Sequence, residues 1–305
     1  MVERKYVYKA FGLIIESDFS IPEFIESHGQ PEVFIKYGEV KPFLENPDEK
    51  GIRFEAAKDE FLLRLDGIAK FYVVSGNKII IEPDKDAEMD DIRVFLLGSV
   101  FAALLHQKQH LVLHGSSIVV NGKGILFAGI SGSGKSTLAA ALCKKGYKLL
   151  TDDLCAIKLN EVGIPEIIPG FPKLKLWEDS AKLLGENIDL LTPLRSKLKK
   201  YRLDAESMFS HDSVPMSKIY ILHDQNNSEL MVEHLQSTNK LKELITNTYR
   251  YRFMKAQGGK SHHFKQIAAV ANAVDISIIT RDKKLTTLEE ILILCEKEIN
   301  TVWER

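Results

Sequence analysis

The chain has 305 residues, 45% hydrophobic and 27% charged, a composition that fills one large apolar core or two modest ones and excludes a disordered protein. A formal net charge of -1 argues against a basic nucleic-acid coat, so nucleic acid is not expected as a partner. Three cysteines, Cys143, Cys155 and Cys295, lack metal-ligand spacing and fit buried thiols in a reducing compartment.

The opening stretch "MVERKYVYKAFGLIIES" carries charges inside its first apolar run and no small-residue cleavage site, so it does not read as a secretion signal. From Tyr6 to Glu82 short alternating segments such as "YVYKAFGLIIE", "FLLRLDG" and "KIIIEP" are broken by Gly, Pro, Asn and Asp, which predicts a β-rich N-terminal domain over residues 1–88. The period then changes. Ile92, Phe95, Leu96, Val100, Ala103 and Leu104 recur at helical spacing behind acidic residues, which predicts a long packed helix opening a second domain, 89–305. Apolar runs of this kind are far shorter than the roughly 20 residues that cross a bilayer. The expected setting is the cytoplasm, without a membrane partner.

Two strand-like runs follow, "LVLHGSSIVV" and "GILFAGI", joined through Asn121-Gly122, a strong hairpin signal. The second strand is therefore expected to pair with its predecessor in sequence, unlike a plain alternating βαβ chain. The helix "KSTLAAALCKK" ends at Gly146, and "YKLLTDD" forms the next strand. Further on, Asn226 to Glu243 turns polar like a surface excursion, "HHFKQIAAVANAV" reads as a helix, "DISIITR" as a strand, and two helical stretches near "TTLEEILILCEKEI" close the chain.

Between hairpin and helix stands "GISGSGKST", residues 129–137, comprising Gly129, Ser131, Gly132, Ser133, Gly134, Lys135, Ser136 and Thr137. It fits the G-x-x-x-x-G-K-[ST] phosphate-loop pattern in its confirming context, an apolar strand before and an Ala-rich helix after. Gly132 and Gly134 let the backbone turn its N–H groups toward an anion, the helix N-terminus adds positive potential, Lys135 reaches β- and γ-phosphates, and Ser136 offers its hydroxyl to Mg²⁺. Asp152-Asp153 ends the next strand, where such folds place carboxylates beside the metal. Alternation along a strand would turn the two toward opposite sides, dividing metal binding from proton acceptance. His114, on the strand before the loop, stands either near the nucleotide pocket or in the core.

His114, "GISGSGKST" and "GYKLLTDD" together closely resemble the catalytic domain of HPr kinase/phosphorylase. The resemblance implies a phosphate-loop α/β domain of the phosphoenolpyruvate-carboxykinase-like type, with a mixed sheet, preceded here by the β-rich part. It also implies ATP and Mg²⁺ as cofactors, Asp152 as the base for a serine hydroxyl, Asp153 on the metal side with Ser136, and His114 beside the base. The family's later Arg-Gly-x-Gly signature is missing, because the corresponding stretch reads "EIIPGFPKLKLW", so reversal by phosphorolysis is not expected. That stretch, with "YKAFGLIIES" and "FLLGSVFAALLHQ", is similar to the related lasso-peptide kinases of ribosomal-peptide clusters, which implies a precursor peptide phosphorylated at its C-terminal serine.

Lys173 and Lys175, at i and i+2 in an extended segment, are candidate substrate-side cations. Arg195, Lys199, Lys200 and Arg202 of "RSKLKKYR" fit a solvated charged face better, and Arg250, Arg252 and Arg281 are weaker candidates for transition-state charge. Besides the peptide kinase, the same motifs admit a kinase of a small hydroxylated metabolite such as free serine, or a nucleotide-gated binding module; a homo-oligomer is left open.

Overall fold

The structure, a computed structural model, describes residues 5–195, 198–282 and 284–301. The absence of a secretion signal was argued partly on the first four residues, which lie outside that set, as do Ser196 and Lys197 of the basic run.

The alternating N-terminal segments form one nine-stranded mixed sheet between Tyr6 and Pro83. Its strands keep the period of two: in Ala69–Val74 every second residue is buried. Parallel pairing of Leu13–Ser17 with Val33–Tyr37, and of the latter with Lys78–Pro83, joins two antiparallel halves.

The predicted helix runs from Met89 to Gln107, with a widened π-turn over Leu96–Val100 between two α-helical segments. Every residue from Leu96 to Leu105 is buried. The helix packs into one apolar cluster with Ile15, Ile35 and Phe71 of the N-terminal sheet and with Val112, Leu154 and Phe171 of the following part. The boundary placed after residue 88 therefore divides the sequence pattern, while the core runs across it.

The second sheet has eight strands. Asn121 and Gly122 both have positive φ, 46° and 74°, as a type I′ turn requires, and they fold Leu111–Val120 antiparallel onto Lys123–Gly129. On its other edge Lys123–Gly129 runs parallel to Val214–Asp224, which in turn runs parallel to Asp275–Arg281. This is the mixed sheet expected from the hairpin. Leu154–Leu159 and Pro165–Ile168 bridge from Leu111–Val120 to Val214–Asp224, so the pairings close on themselves. Lys173–Trp177, Leu198–Asp204 and Thr192–Arg195 make a separate three-stranded sheet.

The polar stretch after Asn226 contains an edge strand, Met231–His234, and the start of a helix, Ser237–Thr246, so it is more ordered than a plain surface excursion. A single helix, Leu288–Thr301, replaces the two expected near the end. Among the described residues no helix is long and apolar enough to cross a membrane.

Candidate active site

The phosphate loop hangs between Lys123–Gly129 and the helix Lys135–Lys144, and three of its glycines take positive φ values that favour a residue without a side chain: 136° at Gly129, 85° at Gly132 and 86° at Gly134. At Gly129 a Cβ would also stand 2.7 Å from the Leu222 carbonyl oxygen and 2.9 Å from Ser133 Oγ. Lys135 is buried and donates to the carbonyls of Gly129, at 2.9 Å, and Ile130, at 2.7 Å. Burial pushes its ammonium down to about 8. Among the described residues Ser133 Oγ is buried without a partner, and Arg281 donates to the Ser133 carbonyl at 2.9 Å and to Asp224 Oδ1 at 3.0 Å. A cation parked on its own loop's carbonyls and an orphaned hydroxyl make a cradle suited to a phosphate group.

Asp152 and Asp153 take separate partners, as expected, but through a turn and not through strand alternation. The strand Lys148–Thr151 stops before them, Asp153 has φ of 73°, and the Leu154 N–H bonds back to the Asp152 carbonyl at 2.9 Å, a tight three-residue turn. A non-glycine residue held there stores strain of the kind found at functional sites. Asp152 Oδ1 accepts from the hydroxyls of Ser136, at 2.8 Å, and Ser116, at 2.5 Å, and Oδ2 accepts from the Lys175 backbone N–H at 2.8 Å. Asp153 Oδ2 faces Lys175 Nζ at 2.9 Å and Oδ1 faces His114 Nε2 at 3.3 Å. His114 thus joins Asp153, against the expectation that it sits beside Asp152, and the Ser136 hydroxyl joins Asp152, against the expectation that it shares the metal side with Asp153. The turn at Asp153 causes the exchange.

Burial alone would raise the Asp153 carboxyl, but the Lys175 ammonium and His114 outweigh it and hold the carboxyl well below its usual range. Lys175 is correspondingly raised, the Asp153 charge overcoming desolvation. Tyr249, whose ring meets His114 edge-on at 5.3 Å, is raised by burial and by Asp153.

His114, Lys135, Ser136, Thr137, Asp153 and Lys175 all line one cavity of about 1050 Å³, together with Ser131, Gly132, Gly134 and Arg281. Lys173 does not reach it: its ammonium pairs with Asp204, and it lines a small cleft with Glu23 and Arg93. Of the basic run, Arg195 and Arg202 bind Asp91 and Asp90 at the start of the long helix; Lys199 and Lys200 line the large cavity, where Lys199 stays 82% exposed, as a solvated face requires, and Lys200 is half-buried. Arg252 is spent on Glu49 at the surface, and Arg250 lies over the rings of Tyr249 and Phe253. Sequence reasoning missed Ser116 and Tyr249. Ser116 was within reach, since it follows His114 at the two-residue period and so shares its face.

Among the described residues no group of three His, Cys, Asp or Glu side chains gathers to hold a metal. The Ser136 hydroxyl and Asp152 carboxylate supply two hard oxygen donors, which suits Mg²⁺, an ion that draws its remaining ligands from phosphate and water.

Residues 106–166 match the family model described as the HPr Serine kinase C-terminal domain. Among curated proteins, the HPr kinase/phosphorylase of Lachnoclostridium phytofermentans is 52% identical over 46 residues, 15% of each chain. That of Clostridium botulinum is 33% identical over 100 residues, 32% of each chain. The chain therefore spans a third or less of the length of these relatives. A solved structure, the Hpr(Ser) kinase/phosphatase from Coxiella burnetii, aligns at 12% identity and a TM-score of 0.32, covering 61% of this chain and 95% of that one. The similarity to the HPr kinase/phosphorylase family is thus confined to part of the chain, and its family-model match, residues 106–166, carries His114, the phosphate loop and both carboxylates.

Proposed function

We propose that the protein is an ATP- and Mg²⁺-dependent kinase that phosphorylates a serine hydroxyl, its acceptor being the C-terminal serine of a ribosomally made precursor peptide. The observation that carries the kinase reading is one cavity holding both the loop lysine and a separate, ionised carboxylate, Asp153, clasped between Lys175 and His114. The peptide acceptor is supported by the similarity of "PGFPKLKLW" and its neighbours to lasso-peptide kinases.

In this reading the loop amides and Lys135 hold the β- and γ-phosphates, and Asp153 orients the serine hydroxyl. The bond from the γ-phosphorus to the β-bridging oxygen breaks, a bond to serine Oγ forms, and the hydroxyl proton passes to Asp153. Phosphoryl transfer through a loose transition state needs positioning and charge neutralisation more than a strong base, so a carboxylate with a depressed pKa suffices. Mg²⁺, when bound by Ser136 and Asp152, neutralises charge on the phosphate oxygens. Asp152 is assigned to that side because it already accepts the Ser136 hydroxyl.

The protein should be incubated with Mg-ATP and, separately, a Ser-ended precursor peptide, HPr and free serine, with phosphoryl mass gain followed. Gain on the peptide is expected; gain on HPr alone would overturn the acceptor, and nucleotide binding without any transfer would make the protein a binding module. Adding inorganic phosphate to the phosphorylated product should release no pyrophosphate, given the missing Arg-Gly-x-Gly.

Lys135 also fixes a pH dependence. A bound triphosphate stabilises the ammonium, so the bound form titrates above about 8 and complex formation at higher pH must take up a proton. Affinity for ATP should therefore be flat below pH 8 and fall by about tenfold per pH unit just above it. Calorimetry at pH 9 in buffers of different ionisation enthalpy should show uptake approaching one proton; no uptake would mean that the phosphates do not meet Lys135.

A further inference from the structure

The three-stranded sheet turns a charged face to the cavity. Leu174 and Leu176 point the other way, buried with Leu138 and Leu142 of the loop helix. By the two-residue period Lys175 and Trp177 share the opposite face, and Lys200 sits directly across from Trp177 in the antiparallel register. Lys175, Trp177 and Lys200 all line the cavity. Their charges are not balanced alike. Lys175 is neutralised by Asp153, and the neighbouring Lys199 by Glu178, which also holds Lys182. Lys200 has no carboxylate partner among the described residues; its ammonium rests over the Trp177 ring, 5.5 Å from the centroid. It also lies close enough to Lys135 to disfavour that ammonium. Two cations, one held by carbonyls and one by a ring, thus face the same space; Asp152 and Asp153 act on Lys135 through space, whereas Lys200 rests on the Trp177 ring. Two neighbouring ammonium groups in one cleft favour the entry of a polyanion.

We propose that Lys200 is a second phosphate-binding cation, placed by the three-stranded sheet to contact the terminal phosphate of a bound nucleoside triphosphate, with Trp177 as its positioning residue. The proposal rests on the kinase reading and adds a group outside the phosphate loop that distinguishes triphosphate from diphosphate. Recognition would then depend on the sheet as well as on the loop.

The test measures affinities for Mg-ATP and Mg-ADP by titration calorimetry on the whole chain. Lys200→Met should weaken ATP by about tenfold or more, the scale of one charged hydrogen bond, and change ADP by less than about twofold. Lys200→Arg should restore most of the ATP affinity. Trp177→Leu, which keeps bulk but removes the ring, should produce a smaller loss in the same ATP-selective sense. Retained ADP binding shows that each variant is folded with an intact loop. Equal losses for both nucleotides, or none, would overturn the role of Lys200 while leaving the kinase reading in place. A wild-type protein that binds neither nucleotide would overturn that reading, and this proposal with it.

Discussion

Lys135→Ala is expected to remove phosphoryl transfer by a factor of about 10³ or more, below detection in an ordinary assay, because it deletes positive charge where the transferring group gathers negative charge. The loop glycines keep their left-handed backbone in the variant, so their N–H groups still favour an anion, and nucleotide binding should survive in weakened form. The separation of the two effects is the informative part. Among the described residues the wild-type lysine, which is buried, bonds the Gly129 and Ile130 carbonyls alone, so little else in the fold depends on it. Single-turnover transfer and nucleotide affinity measured on the same preparation decide the matter. Near-normal turnover would show that this loop is not the catalytic phosphate site.

The second large effect separates the paired carboxylates. Asp153→Asn keeps the size of the side chain and tolerates the left-handed backbone, but it removes the proton acceptor and the charge that faces Lys175. Transfer should fall by about 10² to 10⁴ with ATP affinity nearly unchanged, and added Mg²⁺ should not restore it. Asp152→Asn should instead lose activity that returns in part as Mg²⁺ is raised, since that carboxylate shares the Ser136 hydroxyl. Initial rates against Mg²⁺ for both variants give a direct reading. Rescue of Asp153→Asn without rescue of Asp152→Asn would restore the opposite assignment, the one implied by resemblance, with Asp152 as base. Unchanged turnover in both would end the mechanism.

Much of this was legible because it is local. Asn121-Gly122 dictates its own turn, and the spacing of Ile92, Leu96 and Val100 dictates a buried helix. The loop signature likewise specifies backbone geometry through its glycines. What could not be read depended on chain directions that no periodicity encodes. The two-residue alternation suggested that Asp152 and Asp153 part, but it is not what parts them, since the strand had already ended at Thr151. Lys173 and Lys175 share a spacing but not a destination, because Asp204 captures the first and Asp153 the second. Lys199 and Lys200 belong to a run whose arginines turn away toward Asp90 and Asp91, so the run has no single fate. Tyr249 reaches His114 only because the Leu113–Thr248 bridge lays a remote segment alongside that strand.

The pairing of the loop strand bears on the order in which the site comes into being. Lys123–Gly129 finds its antiparallel partner at once, through a two-residue turn, but its other edge waits for Val214–Asp224, and the Ser133 carbonyl waits for Arg281, 148 positions downstream. On the ribosome, a chain that has just completed its phosphate-loop sequence therefore lacks one flanking strand and the guanidinium that anchors the loop. On the proposed function, nucleotide capture waits until Val214–Asp224 and Arg281 have been made. Closing such distant pairings makes folding slow relative to forming the hairpin, and a ligand that binds only the finished state pulls the equilibrium toward it by mass action. If the proposed function holds, cellular nucleotide would in this way favour the folded chain before it serves as a substrate.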